Sequence, residues 1–397
     1  LILTVADTRV RAATRATYIA FAGSGFAMAS WASRIPQVRD RLGLAPAQLG
    51  LVLLAIASGS ILSLVASGHI VARFGSRRTV TAMAVLLTVA VSTVGIGYQF
   101  GVPPLAAGLF LFGFANGAWD VGMNVQGAAV ERRLGRAIMP RFHAGYSIGT
   151  VGGALVGTAM VALAVPVTAH LVVTAVVIGV CVVAAVRGFG PDAEEPGAAG
   201  ESGAAVGRGG ALRFWLEPRT VLVGVFVLAF AFAEGAGIDW IGVAVIDGYH
   251  APAAVGTLAF AVFLSAMTAG RWFGPGLLDR FGRVPVVRVL AVIGLVGLAL
   301  FVFGRTTPLA FAGALLWGTG ASLGFPVGMS AASDDPRYAA PRVSVVASIG
   351  YFAFLGGPPL IGFLGDHFTV QHALTAVAIL LVVATAVASA IRPLKPS

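Results

Sequence analysis

The sequence predicts an all-α integral membrane protein of twelve transmembrane helices, arranged as two pseudo-symmetric six-helix halves. Three observations carry that expectation. First, the 397-residue chain is 58% hydrophobic and only 11% charged, with mean hydropathy +0.92. A soluble domain carries about 25% charged residues, so most of this surface must face lipid. Second, the second half repeats the first. Val121-Gly122-Met123-Asn124 returns as Val327-Gly328-Met329-Ser330, and Ala45-Pro46-Ala47 as Ala251-Pro252-Ala253. Arg73-Phe74-Gly75 returns as Arg280-Phe281-Gly282, and Ser147-Ile148-Gly149 as Ser348-Ile349-Gly350. The offsets are 206, 206, 207 and 201 residues, so the matches are collinear. Third, the basic residues sort to one side. With the N-terminus in the cytoplasm, 21 of the 26 Lys and Arg fall inside, four (Arg34, Arg39, Arg41, Arg305) outside, and Arg271 within a span. An excess of Lys and Arg in cytoplasmic loops sets membrane orientation. The net charge of +10 therefore reflects sidedness, not nucleic-acid binding.

A spanning helix needs roughly 20 apolar residues. Twelve such stretches run over 16–33, 48–70, 79–98, 104–130, 142–165, 167–186, 219–245, 252–274, 284–303, 308–332, 343–364 and 372–391. Alternating strands of about ten residues are not seen, which argues against an outer-membrane barrel. Residues 188–213 are rich in Gly, Ala, Pro and acids and read as a mobile cytoplasmic linker. The expected division is 1–187, linker 188–213, and 214–397, with both termini cytoplasmic. Trp215 reads either as an interfacial anchor or as the start of span seven. The first span would serve as an uncleaved signal. The single Cys181 excludes an intramolecular disulfide and a cysteine metal cluster. Heavy use of Ala, Gly, Val and Arg suggests a GC-rich bacterial genome, hence a bacterial inner membrane.

Within the spans, Gly149, Gly153 and Gly157 share one face of span five and let a neighbouring backbone approach, for packing or for sliding. Span seven (Gly235, Gly237), span ten (Gly324, Pro326, Gly328) and span eleven (Gly356, Gly357, Pro358, Pro359) read as bent or broken. The outer loop Arg34 to Pro46 departs from the charge rule.

Charged residues inside a bilayer are costly and mark functional positions. Asp120 is the foremost. Asn116, Asp120 and Asn124 are four apart and make one polar stripe, with Trp119 adjacent and Gln126 a half-turn on. A carboxylate there can bind a proton, accept a solute hydroxyl or ammonium, or lock helices together. Glu234, beside Gly235 in span seven, is the second proton-site candidate. Asp239, five residues further, points to another face. Trp31 and Trp240 align at a 209-residue offset and read as a solute clamp or as an interfacial belt. Arg271 reads as snorkelling to the headgroups, or as a buried partner of Glu234. His69 and His143 stand near span ends. There is no P-loop, no nucleophilic triad and no metal cluster, so the chain does not read as an enzyme and no cofactor is expected.

Gly68 to Arg78 resembles the GxxxDRxGRR signature of the major facilitator superfamily, with Ala72 in place of Asp. The second copy, Asp279-Arg280-Phe281-Gly282-Arg283, keeps the Asp. The resemblance implies the major facilitator fold, with Arg73, Arg77, Asp279, Arg280 and Arg283 as inner-face gating residues. Trp119-Asp120-Val121-Gly122-Met123-Asn124 is similar to the span-four pattern of the fucose:proton symporters, where the acid is a proton and sugar site; that likeness extends to Asp120 and Asn124. The fuller pattern, through Gln126, Glu131, Gly135-Arg136, Met139 and Phe142-His143, resembles the YbjJ-like branch. The expected activity is proton-coupled movement of a small polar solute by alternating access. Solute contacts are expected from Asn116, Trp119, Asn124, Gln126, Trp31, Trp240 and Asp239, and proton coupling from Asp120 and Glu234. The expected partners are lipid, solute and protons, around a monomer. Proton-antiport efflux, uniport and a non-transporting receptor remain as alternatives.

Overall fold

The computed structural model describes residues 5–135, 138–192, 212–335 and 337–394. Among these there are helices and no strands. The N-terminal unit holds α1 (Val5–Ala32), α2 (Ile35–Leu42), α3 (Pro46–Gly97), α4 (Val102–Leu134), α5 (Met139–Ala162) and α6 (Val167–Ala185). The C-terminal unit holds α7 (Pro218–Tyr249), α8 (Ala253–Phe281), α9 (Arg283–Phe303), α10 (Thr307–Ala321), α11 (Gly324–Ala332), α12 (Ala339–His367), α13 (Val370–Ala373) and α14 (Thr375–Val387). By contacts the chain divides into two compact units, Leu1–Glu194 and Glu195–Ser397. Most of the expected linker, 193–211, lies outside the described residues, as do Arg136 and Lys395.

Among the described residues ten helices are long and apolar enough to cross a membrane. One of them, α3, has 52 residues. At 1.5 Å per residue it would run about 78 Å, far beyond a hydrocarbon core of about 30 Å. It is two spans meeting at Gly75, whose φ of 78° and ψ of 160° are not helical. With α1 these segments make the twelve expected. The second copy has the same joint: Gly282, at φ 81° and ψ 163°, separates α8 from α9. Both positions demand a backbone that L side chains avoid.

The bends expected from glycine and proline are distributed differently. Helix α7 runs unbroken through Gly235 and Gly237, and α12 continues past Pro358 and Pro359. Span ten does break, at Ser322 and Leu323, giving α10 and α11. Gly324 follows the break because the Phe230 ring lies against it; a Cβ there would sit 1.9 Å from Phe230 Cγ.

Close backbone approach holds the N-terminal unit together. A Cβ at Gly149 would lie 2.1 Å from Ala22 O, so the glycine face of α5 is packed onto α1. The core of this unit includes Phe21 and Phe142, stacked at 5.7 Å, with Phe112 and Trp119 fully buried. In the C-terminal unit Trp317 packs edge-on between Phe263 and Phe301.

The outer loop explains its own charges. Arg34 is buried; its Nε donates to His170 Nδ1 (2.9 Å) and its Nη2 to Val165 O (3.1 Å). Arg39 pairs with Asp40 at 2.6 Å. Arg34 and Arg39 are thus both engaged within the N-terminal unit.

Candidate functional site

Helix α4 alternates buried with half-buried residues, and Asn116, Asp120 and Asn124 are half-buried on one stripe. Their spacing of four residues sets them about 6 Å apart along the axis. Ser24 Oγ on α1 donates to Asn116 Oδ1 (2.8 Å). Asn124 Nδ2 donates back to Asp120 O (2.8 Å) and to Asp120 Oδ1 (3.3 Å). These bonds leave Asn116 Nδ2, Asp120 Oδ2 and Asn124 Oδ1 without partners among the described residues, a donor and two acceptors in a row. Asp120 has no basic partner there either.

The other expected solute contacts are elsewhere. Trp119, Trp31 and Trp240 are sealed in the cores of their units. They form neither an open clamp nor a lipid-facing belt. Gln126 is also fully buried. With its amide nitrogen toward Gly190 O (3.1 Å) and its oxygen toward Gly190 N (3.1 Å), it pairs with the backbone that follows α6. Position 126 lies about 200° around the helix from Asn124, which is why the stripe does not include it.

On α7, Glu234 and Asp239 are both half-buried. Glu234 Oε2 accepts from Arg271 Nη2 at 2.7 Å, and Arg271 Nε donates to Ser322 O at 3.2 Å. The snorkelling expectation for Arg271 is corrected: the carbonyl exposed by the break between α10 and α11 and the Glu234 carboxylate draw it inward. Asp239 has no ion-pair partner among the described residues.

The two loops that carry the signature also differ from it. Ala72 leaves the first loop without an acid, and Asp192 supplies one from beyond α6. Its Oδ2 accepts from Ser76 N (2.6 Å) and its Oδ1 from Ser76 Oγ. Ser76 opens the helical segment after Gly75, so the carboxylate meets backbone N–H groups that lack helical partners. Arg132 Nη2 donates to Asp192 O (3.0 Å) and Arg133 Nη2 to Pro191 O (2.7 Å). Together with Gln126 these contacts strap residues 190–192 across the Gly75 joint within α3 and the C-terminal end of α4. The first residues of the expected mobile linker are therefore docked. Arg73 stacks on Phe74 at 5.7 Å, and Arg77 is exposed.

In the second loop Asp279 is exposed and makes no ion pair among the described residues. It forms no ion pair with Arg280 or Arg283. Arg280 stacks on Phe281 at 5.1 Å. Arg283 instead reaches Asp334 (2.7 Å) at the end of α11, and Arg219 reaches the same carboxylate (2.8 Å). Beside it, Arg342 holds Glu217 through two bonds of 2.7 and 2.9 Å. That guanidinium keeps the Glu217 carboxyl below its ordinary range. Sequence reasoning missed Asp192, Asp334 and Glu217. The available signal was that acids are scarce among the basic inner loops, so each has several arginines to pair with.

A family model described as Major Facilitator Superfamily matches residues 17–353. The chain is 31% identical over 357 residues to the uncharacterized transporter y4wD of Sinorhizobium fredii (strain NBRC 101917 / NGR234), covering 88% of this chain and 90% of that protein. It superposes on the nucleoside transporter NupG with TM-score 0.74 at 13% identity, over 96% of this chain and 98% of that one. The E. coli fucose:proton symporter FucP gives TM-score 0.62 at 14% identity, over 94% and 97%.

Proposed function

This chain belongs to the Major Facilitator Superfamily, and from that premise we propose that it carries a small, hydroxyl-bearing organic solute by alternating access, coupled to protons through Asp120. That it is a multi-pass membrane transporter rather than an enzyme follows from the family. The observation that supports the finer reading is the α4 stripe. Asp120 is a half-buried carboxylate in a span, with no cation beside it and with Asn116 and Asn124 bracketing it. A proton is the smallest ion that can neutralise such a group, and a solute hydroxyl can use the same oxygens. FucP, whose name records fucose:proton symport, and NupG, a nucleoside transporter, share the fold. Their named activities favour solutes of this kind. Glu234 is the weaker proton candidate because Arg271 already balances its charge.

The same reading places the transporter as a monomer in a bacterial inner membrane with both termini in the cytoplasm. It divides the chain into halves 1–187 and 214–397. Arg73, Arg77, Asp279, Arg280 and Arg283 belong to the inner-face loops that move in gating, with Asp334 as the acid that locks Arg283.

The test is Asp120→Asn, which mimics the protonated form, compared with wild type and Glu234→Gln in proteoliposomes with an imposed pH gradient. The solute is first identified by a thermal-shift panel on the purified chain. The expected result is loss of uphill, pH-driven accumulation in Asp120→Asn while solute-for-solute exchange is retained. Full pH-driven uptake by Asp120→Asn, with loss only in Glu234→Gln, would move the proton site to α7.

A further inference from the structure

The Glu234–Arg271 pair is less complete than a structural ion pair needs to be. A guanidinium has five N–H groups. Arg271 uses one on Ser322 O and one on Glu234 Oε2. The other three, and Glu234 Oε1, have no partner among the described residues. None of these atoms is among the buried polar atoms left unsatisfied; the side chains keep 27% and 18% exposure. The contrast with Arg342 and Glu217 in the same unit is informative. There both carboxylate oxygens are engaged, and Arg342 stacks on Tyr338 and Phe214 besides. That pair is closed, whereas the α7–α8 pair makes one bond and leaves the edge of the fork open.

The backbone around Arg271 fixes the direction it presents. Gly270 lies against Ser322, where a Cβ would be 2.3 Å from Ser322 Oγ. Gly274 lies against Leu323, where a Cβ would be 2.4 Å from Leu323 Cδ1. These two glycines seat α8 on the break between α10 and α11. The Ser322 carbonyl, at the negative end of the α10 dipole, anchors Nε. With Nε fixed, the two Nη groups form the outward edge. A planar, anchored guanidinium with N–H groups to spare, within a membrane span, is a receptor for a planar oxyanion. Arg271 needs a counter-charge in that setting when no ligand is bound, and the singly bonded Glu234 provides it.

We propose that Arg271 recognises the carboxylate of a small organic-acid solute, and that Glu234 is the internal counter-ion which that carboxylate displaces. The proposal rests on the transporter reading above and adds the substrate class: a hydroxylated organic acid rather than a neutral sugar. An anionic lipid headgroup offers Arg271 the same oxyanion chemistry, and the test separates the two.

The probes are gluconate, succinate and benzoate, each against its neutral counterpart (glucose, succinamide, benzamide). Calorimetric titration uses the full chain purified in detergent free of anionic lipid. At least one acid should bind the wild type, with its neutral counterpart at least tenfold weaker. Arg271→Lys should weaken that acid at least tenfold, since an ammonium lacks the planar fork. Glu234→Gln should tighten it about tenfold by removing the competitor. Arg271→Lys keeps the charge and protects against misfolding that Arg271→Met could cause. Binding of acid and neutral counterpart alike, indifference to Arg271→Lys, or no acid binding to wild type or Glu234→Gln would each overturn the assignment. So would carboxylate binding abolished by a few equivalents of phosphatidylglycerol, which would give the site to lipid. A neutral solute carried in proteoliposomes regardless of Arg271 would sink this proposal and leave the transporter reading standing. An acid bound through Arg271 but never carried would do the reverse.

Discussion

Replacing Asp192 should loosen the N-terminal unit at the Gly75 joint without unfolding it. Ser76 is fully buried, and its backbone N–H, at the start of the helical segment after Gly75, points at Asp192 Oδ2 from 2.6 Å. Asp192→Ala leaves that N–H without its acceptor, at a cost of about 1–3 kcal/mol. It also removes a carboxylate from a helix N-terminus, about 0.3–1 kcal/mol more. Asp192→Asn keeps an acceptor oxygen and loses the charge, so it should cost about 1 kcal/mol. A local penalty of about 2–3 kcal/mol corresponds to opening roughly 30- to 150-fold more frequent, at tenfold per 1.4 kcal/mol. Hydrogen exchange followed by mass spectrometry on the purified full chain reads this directly. Amides of 76–80, Gly190 and Asp192 should exchange about 30-fold faster or more in Asp192→Ala and about fivefold faster in Asp192→Asn, while α5 and α6 stay unchanged. Exchange within threefold of wild type at 76–80 in Asp192→Ala would refute the strap.

Three further outcomes follow from the geometry. Gly113→Ala should destabilise by about 1–3 kcal/mol through overpacking, because its Cβ would sit 2.0 Å from Ile56 O; Gly68→Ala, with nothing within 4 Å, should not, and equal melting of the two in detergent would contradict the packing. Asp334→Asn breaks the pairs to Arg219 and Arg283 and should lower stability by about 3 kcal/mol; Asp279→Asn should leave melting unchanged, and a reversed order would restore Asp279 as the lock. Glu217 has its carboxyl held below its ordinary value of 4.5 by Arg342, so its contribution is complete above that value and is lost as pH falls through the lowered one. Glu217→Gln should therefore melt lower than wild type at neutral pH and converge on it as pH falls from the ordinary carboxylate value through the lowered one; melting curves that stay parallel throughout acid titration would refute the linkage.

The fold was legible where one helix alone carries the signal. Apolar run length marked the spans, and the repeat survived at Gly75 and Gly282 because a positive φ can be met cheaply only by glycine. The Asn116–Asp120–Asn124 stripe was legible for a similar reason: a period of four needs no knowledge of neighbours. Partner choice was not. Gln126 looked like a cavity side chain until the backbone after α6 came to lie on it. Nothing in the sequence marked Asp334, more than fifty residues on, as the partner of Arg283. Arg271 could equally have snorkelled, and only the break in span ten supplied the carbonyl that holds it. Such pairings depend on which helices pack together, which one helix's periodicity does not encode.

The Arg34–His170 contact has a consequence for how the chain is made. Arg34 is made early, between α1 and α2, yet its acceptor is 136 residues further along. At roughly 5–20 residues per second of synthesis, the cation waits on the order of 7 to 27 seconds before His170 emerges. Arg39 has no such delay, since Asp40 is its neighbour. During that interval the top of α1 holds an arginine that nothing yet encoded downstream can bury. Capture of Arg34 by the head of α6 is therefore a late step in assembling the N-terminal unit, since α6 is the last of its helices to be made.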